Sequence, residues 1–202
     1  MSNDQLGIDV ASSIANAAAA FASDFGFVIR YYSHNPSKNL TESELQALLG
    51  AGLKVGVVWE TLGNHAGYFS TSQGATDSAD ALGMANALGQ NKGSAIYFAV
   101  DFDATPSDIA NLVTPYFKAV HSAFENAGMP YFVGVYGSGA TCAALSAAGV
   151  VHHTWLAQST GWSGYSTYQN YDMKQGASIT AHGFACDPDT IRLGGNPGLF
   201  PA

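Results

Sequence analysis

The chain has 202 residues, of which 47% are hydrophobic and only 11% are charged, and its 15 acidic and 7 basic residues give a net charge of −8. This length is enough to bury a large core, so we expect a single domain over residues 1–202. The low charge content argues against disorder. Because no cluster of basic residues is present, nucleic-acid binding and attraction to an anionic membrane surface are both disfavoured.

The first residues lack the basic start of a signal peptide, and the apolar segment 14–21 is shorter than the ~20 residues that a membrane-spanning helix needs. We therefore expect a soluble protein without membrane partners. It would act outside the cell only if another route exports it, and otherwise in the cytoplasm. Cys142 and Cys186 show no metal-like spacing; buried free thiols are the favoured interpretation, and a disulfide between them is the alternative.

Apolar runs and helical patterns alternate along most of the chain. The sequence predicts strands at 6–10, 27–32, 54–60, 95–100, 131–136, 153–157, 165–171 and 183–187. Helices are predicted at 14–23, 41–49, 76–88 and 106–127, and a fifth runs from the Gly137-Ser138-Gly139 turn to about residue 149. A long loop at 61–74 carries Tyr68 and Phe69 and suggests a lid or binding loop.

This order favours an α/β fold, a small (β/α)8 TIM-like barrel whose last helices are reduced. A doubly wound open sheet is the alternative. The absence of a GxGxxG motif after the first strand argues against that alternative, because the dinucleotide-binding version of the open sheet carries its phosphate-binding turn there.

Acidic residues mark the predicted carboxyl ends of several strands. They are Asp9, Glu60, Asp101, Asp103 and Asp187. Such a residue often caps the next helix, but capping alone does not predict so many in an acid-poor chain. In a barrel the strand ends meet at one mouth, where carboxylates suit hydrolysis of a glycosidic bond: one donates a proton while another stays ionised. Repulsion between neighbouring carboxylates separates their pKa values and hence these roles.

Aromatic residues near the same predicted strand ends offer flat faces on which sugar rings stack. The candidates are Trp59, Tyr136, Trp155 and Tyr171. A divalent metal between Asp101 and Asp103 is a less favoured alternative, since carboxylate oxygens bind hard cations. No HExxH motif or phosphate-binding glycine loop accompanies that pair, so we predict neither a metal nor a cofactor.

Several motifs together resemble the glycoside-hydrolase-like barrel family, known mainly as a domain of unknown function and related to the family 25 lysozymes. The motifs are Gly7-Ile-Asp9, Val58-Val-Trp-Glu60, Ile96-Tyr-Phe-Ala-Val-Asp-Phe-Asp-Ala-Thr105, Gly134-Val-Tyr136-Gly137, Tyr168-Gln169 and Asp187-Pro-Asp189. The resemblance implies a TIM-like barrel whose acidic mouth binds a glycan, with peptidoglycan as the leading candidate.

In the lysozymes the fourth strand ends in Asp-x-Glu, with the Glu as catalytic acid. By resemblance, Asp101 matches the assisting aspartate and Asp103 the acid. The remaining matches are Asp9 on the first strand, Tyr136 beside the cleaved sugar, Gln169 on the seventh strand and Asp187 on the last.

The sequence departs from the lysozyme pattern at Asp103, which is one methylene shorter than Glu. A misplacement of about 1 Å can cost on the order of a hundredfold in rate. Glu60 could then act as the acid. Two hypotheses follow: a lysozyme-like glycosidase acting on peptidoglycan, and a non-catalytic barrel that binds a glycan or the cell wall. The sequence indicates no oligomeric state.

Overall fold

A computed structural model describes residues 5–201 of the chain. Its strands are β1 Leu6–Asp9, β2 Phe27–Tyr32, β3 Lys54–Trp59, β4 Ala95–Ala99, β5 Phe132–Gly137, β6 His153–Leu156, β7 Met173–Gln175, β8 Ile179–Ala181 and β9 Phe184–Ile191. Its helices are α1 Ala18–Asp24, α2 Glu42–Gly50, α3 Thr71–Leu88, α4 (Pro106–Asp108, a π-helical turn Ile109–Val113 and Thr114–Asn126) and α5 Gly139–Ala147. Two short 3-10 turns lie at Ala15–Ala17 and Ala66–Tyr68.

Eight of the strands form a closed barrel. Strands β1 to β7 pair with their neighbours in chain order and run parallel. Strand β9 then pairs antiparallel with β7 and with β1, which joins the two edges. The prediction of a barrel is therefore confirmed, and the open doubly wound sheet is excluded.

The barrel departs from a complete (β/α)8 arrangement in its last quarter. The predicted strand at 165–171 is wrong: this segment forms turns, in which the N–H of Tyr165 donates to the carbonyl of Trp162 and that of Tyr168 to Gly164. The backbone N–H groups of these tyrosines thus form hydrogen bonds within the turns and not with a neighbouring strand. The seventh strand is instead the short polar β7, and no helix lies between β6 and β7.

The eighth barrel strand also differs from the prediction in length and direction. Strand β9 is antiparallel because it is the second arm of a hairpin with β8, in which Ala181 pairs with Phe184. The turn residues His182 and Gly183 have φ of 50° and 86°, the conformation that two-residue hairpins favour. As a consequence Asp187 lies in the middle of its strand and not at the carboxyl end, yet it pairs with Asp9 at the same mouth.

Side chains on the strands alternate between two hydrophobic cores. On β2, Phe27, Ile29 and Tyr31 point into the barrel, where they pack with residues such as Tyr97 and Trp155. The opposite face of the sheet packs against the helices in a larger core. Both faces of these strands are therefore buried, which explains their continuous apolar sequence.

The carboxy-terminal segment closes the barrel at the end opposite Asp9. The N–H of Ala95, the first residue of β4, donates to the carbonyl of Gly198 at 2.8 Å. The Tyr97 hydroxyl donates to the carbonyl of Pro197 at 2.9 Å, and Leu199 packs in the interior core. The interior consequently opens towards solvent at the carboxyl ends of the parallel strands.

The predicted lid between β3 and α3 is shorter and more buried than expected. Helix α3 begins at Thr71 because the Ser70 hydroxyl accepts from the N–H of Gln73 and caps it. Phe69 is only 1% exposed, and the Tyr68 hydroxyl donates to the buried Asp77 at 2.7 Å. The two aromatics thus anchor this loop to the core and do not form a free binding surface.

Two further expectations concern the cysteines and membrane-spanning helices. Cys142 and Cys186 are both buried and both free, so the structure contains the thiols and not the alternative disulfide. Among the helices within residues 5–201, none is both long and apolar enough to cross a membrane.

Candidate active site

A cavity of about 240 Å³ occupies the open mouth of the barrel. It is lined by Tyr31, Val58, Glu60, Ala99, Asp101, Tyr136, Trp155, Gln158, Ser159, Gln175 and Asp187. Five of these were predicted from the sequence: Glu60, Asp101, Tyr136, Trp155 and Asp187. The sequence did not single out the other six as site residues, although Val58 and Ala99 lie within the motifs that end in Glu60 and contain Asp101.

Glu60 and Asp101 follow the adjacent strands β3 and β4 and share one wall of the cavity. The Lys38 ammonium lies 2.9 Å from Oε1 of Glu60, so a positive charge faces this carboxyl group. The N–H of Asp101 donates to the carbonyl of Gly63 at 2.8 Å, which fixes the loop after β4. Partial burial and then the Glu60 charge raise the pKa of Asp101 to about 6, although Lys38 opposes the shift.

Asp9 lies beneath the floor of the cavity and is only 4% exposed. Its two oxygens accept hydrogen bonds from the Tyr31 hydroxyl at 3.0 Å and from the Gln175 amide at 2.8 Å. Burial raises the pKa of Asp9 to about 7; the Gln175 bond opposes this shift and the Asp187 charge adds to it. Asp9 therefore titrates near neutral pH without facing the cavity directly.

A second buried acid, Asp189, stands beside Asp9 and was missed as a site residue. Its Oδ1 accepts from the Trp155 indole at 2.8 Å, while Oδ2 has no donor among the described residues. Burial and the Asp9 charge raise the pKa of Asp189 well above its ordinary value, so a protonated Asp189 can donate to Asp9. Asp189 lies two residues after Asp187 on the same strand, so both side chains point to the same side of the sheet. This spacing could have identified Asp189 from the sequence.

Gln175 connects most of the polar groups of the mouth and was also missed. Its amide nitrogen donates to Asp9 at 2.8 Å and to Asp187 at 3.3 Å. Its oxygen accepts from the Tyr136 hydroxyl at 2.8 Å. The sequence prediction placed this role on Gln169, which is exposed and donates to the carbonyl of Ser166 in a turn.

Three other predicted residues lie away from the cavity. Asp103 is exposed, and it accepts from the N–H of Ser163 at 2.8 Å, so it ties the β4–α4 loop to the β6–β7 loop. Trp59 is 2% exposed on the outer face of β3, where no sugar could stack on its ring. Tyr171 lines a separate cavity on the outside of the barrel.

The aromatic wall of the mouth consists of Tyr136 and Trp155. Their ring centroids are 4.7 Å apart in an edge-to-face arrangement, and both residues line the cavity. Trp155 is almost fully buried, so Tyr136 presents the more accessible part of this wall. The arrangement combines a flat apolar surface with carboxyl groups, as carbohydrate sites do.

The acids of the mouth are not neutralised by the two arginines. Arg30 is buried against Glu44 at 2.9 Å and donates to the carbonyl of Val10, and Arg192 donates to the carbonyl of Tyr171. Within residues 5–201 no three His, Cys, Asp or Glu side chains are arranged to hold a metal ion. What the mouth offers is a carboxyl group of raised pKa, Asp101, beside a second carboxyl group, Glu60, that is paired with Lys38.

Comparisons with known proteins agree with this architecture. The model of the Rv2525c-like, glycoside hydrolase-like domain family matches residues 18–189. The uncharacterized protein YbfG of Bacillus subtilis is 38% identical over 131 residues, which are 62% of this chain and 18% of YbfG. The chain therefore spans about a fifth of the length of that curated relative.

Two solved structures share the fold. The Tat-secreted protein Rv2525c of Mycobacterium tuberculosis, crystallised with L-tartrate, has a TM-score of 0.81 at 20% identity, and the match covers 96% of this chain and 98% of that one. The modular autolysin LytC of Streptococcus pneumoniae, in complex with a synthetic peptidoglycan ligand, has a TM-score of 0.64 at 15% identity, over 93% of this chain and 46% of that one.

Proposed function

Since the chain belongs to the Rv2525c-like, glycoside hydrolase-like domain family, as its motifs predicted, we propose that it hydrolyses a peptidoglycan-type glycan at the barrel mouth. The observation that carries the proposal is the pair of carboxyl groups, Glu60 and Asp101, on adjacent strand ends in one cavity. The likeness in fold to LytC, whose structure holds a synthetic peptidoglycan ligand, supports the choice of substrate.

The two carboxyl groups suit different roles. Asp101, with its pKa of about 6, keeps a proton in mildly acidic solution and can give it to the leaving glycosidic oxygen. Glu60, paired with Lys38, would serve as the carboxylate that accepts a proton from the attacking water or stabilises the positive charge on the sugar. Tyr136 and Trp155 would hold the sugar ring, and Asp187 would contact its hydroxyl groups. Asp9 would act from beneath by accepting hydrogen bonds from Gln175 and Tyr31 and so holding both side chains in place.

One observation favours a second candidate, the non-catalytic glycan-binding barrel. Asp103, which stands where the lysozymes carry their acid, is hydrogen-bonded to the backbone of Ser163 and does not line the cavity. If Asp101 does not replace it as proton donor, the mouth would bind a glycan without cutting it. The two candidates predict the same ligand and differ only in turnover.

The experiment is incubation with purified peptidoglycan from pH 4 to 8, followed by measurement of new reducing ends. We expect release that declines as the pH rises through about 6, because Asp101 then loses its proton. Asp101→Asn and Glu60→Gln should each lower the rate by roughly a hundredfold or more, the range of general acid–base catalysis. The exposed Glu42→Gln, on α2, is the matched control and should have no effect.

The variant Asp103→Asn tests whether the proton donor is Asp101, as proposed, or Asp103, as the lysozyme pattern implies. We expect it to lower the rate much less than Asp101→Asn, whereas a lysozyme-like role would reverse that order. Binding to insoluble cell wall without any new reducing ends would support the second candidate and contradict hydrolysis. Action at the cell wall through an export route is part of the proposal, since the related fold of Rv2525c belongs to a Tat-secreted protein.

A further inference from the structure

The outer face of the barrel is open beside β7 and β9. Because no helix follows α5, this part of the sheet lacks the covering that α1 to α5 give the rest. A cavity of about 300 Å³ lies here. It is lined by Tyr171, Lys174, Gln175, Gly176, Thr190 and Arg192.

Two basic side chains line this cavity in a chain that has only seven in all. Among residues 5–201, neither Lys174 nor Arg192 has a carboxylate within 4.0 Å, whereas Arg30 and Lys38 are each paired. The Lys174 ammonium lies 4.4 Å from the centroid of the Tyr165 ring, which orients it.

Arg192 is held in place through its backbone-facing nitrogen. Nε donates to the carbonyl of Tyr171 at 2.6 Å, and the two terminal nitrogens donate to no described protein atom. A guanidinium fixed in this way presents two parallel N–H groups, the geometry that matches a carboxylate or phosphate. Lys174 adds a second positive charge to the same cavity.

A groove connects this basic cavity with the acidic mouth. A third cavity, of about 580 Å³, lies on the rim between them. It shares Gln158, Ser159 and Gln175 with the mouth, and Gln175 and Gly176 with the outer cavity. A chain molecule that leaves the mouth over this rim would therefore reach the cavity that Lys174 and Arg192 line.

We infer that Lys174 and Arg192 form a subsite for an anionic group, a carboxylate or a phosphate, carried by a polymer whose neutral sugar occupies the mouth. The inference deepens the proposed function and depends on it. The carboxylates of the mouth repel an anion, whereas the outer cavity attracts one. This separation of charge would set the direction in which the polymer lies across the protein and favour anionic polymers over neutral ones.

The test compares ligands that share a sugar backbone but differ in charge. Calorimetric titrations would use a neutral N-acetylglucosamine oligomer, a peptidoglycan oligomer with free stem-peptide carboxylates, the same oligomer with those carboxylates amidated, and a teichoic acid as the phosphate source. Each is measured at 10 mM and 150 mM salt with the wild type, with Lys174→Gln/Arg192→Gln, and with Lys92→Gln/Lys118→Gln. The last variant changes the net charge equally at two lysines that do not line the groove.

We expect the double variant Lys174→Gln/Arg192→Gln to reduce the ratio of anionic to neutral affinity about tenfold at low salt, and less at high salt because of screening. The control variant should leave the ratio unchanged. Loss of preference on amidation identifies carboxylate as the source, and a preference for teichoic acid identifies phosphate.

An unchanged ratio in the double variant, with sugar binding intact, would overturn this inference and leave the proposed function standing. If the wild type bound none of the four ligands, the proposed function and the inference would both fail. An equal fall in the ratio in the control variant would show a general effect of charge and overturn the subsite.

Discussion

Replacing Asp9 by Asn should change how the stability of the protein depends on pH. Asp9 is buried, and its pKa in the folded protein is about 7, against an ordinary value of 3.8. The folded state therefore holds a proton between pH 4 and 7 that the unfolded chain has released. It follows that the stability contributed by the Asp9 proton is lost as the pH rises through this window, and that this contribution is gone above about pH 7.

The magnitude follows from the shift. A difference of roughly 3 pKa units corresponds to about 4 kcal/mol of unfolding free energy, at 1.36 kcal/mol per unit. The variant Asp9→Asn has no proton to lose at this position. It carries a cost of its own, because one donor of the new amide faces the Gln175 amide nitrogen, but that cost does not vary with pH. The informative quantity is thus the difference between variant and wild type as a function of pH.

The assay is urea unfolding followed by tryptophan fluorescence at intervals from pH 4 to 8. We expect the stability of Asp9→Asn relative to the wild type to rise by up to about 4 kcal/mol across this range, with its midpoint well above pH 4. Gln46→Ala, on the exposed side of α2, removes no ionisable group and should follow the wild-type curve. Parallel curves for Asp9→Asn and the wild type would refute the reasoning.

Two further predictions concern neighbours of the same acids. Lys38→Gln removes a charge that lowers the pKa of Asp101, so the decline of hydrolysis with pH should move to higher pH; an unmoved decline would contradict the assignment of Asp101 as the acid. Gln175→Met leaves Asp9 and Tyr136 without their partner and should cost about 1–3 kcal/mol in urea unfolding. Because the lost bond also lowers the pKa of Asp9, the cost should be greater at pH 8 than at pH 5, and equal costs would argue against it.

Most of the barrel could be predicted from the sequence, because its first six strands and five helices depend on local patterns. Buried parallel strands show as continuous apolar runs, and helix starts show as capping residues such as Thr105, whose hydroxyl accepts from the N–H of Asp108. The acids at predicted strand ends also led to the mouth, and four of them lie in or beneath it: Asp9, Glu60, Asp101 and Asp187.

The side of the sheet to which each side chain points was harder to predict than the positions of the strands. Glu60 directly follows Trp59, and successive residues of a strand point to opposite sides, so the two could not both face the cavity. That argument was available from the sequence. For Asp103 it was not: β4 ends at Ala99, so the alternation of a strand no longer applies, and the loop turns the side chain towards Ser163.

The antiparallel β9, the organising role of Gln175 and the buried pair Asp9 and Asp189 were decided only by tertiary structure. Each depends on contacts between segments far apart in the chain, as in the bond from Gln175 to Asp9 across 166 positions. The sequence by itself determined the first six strands, the five helices, and the acids Asp9, Glu60 and Asp101 at the carboxyl ends of β1, β3 and β4. Closure of the barrel by β9 decided which of those acids meet, because only that pairing brings Asp187 and Asp189 beside Asp9.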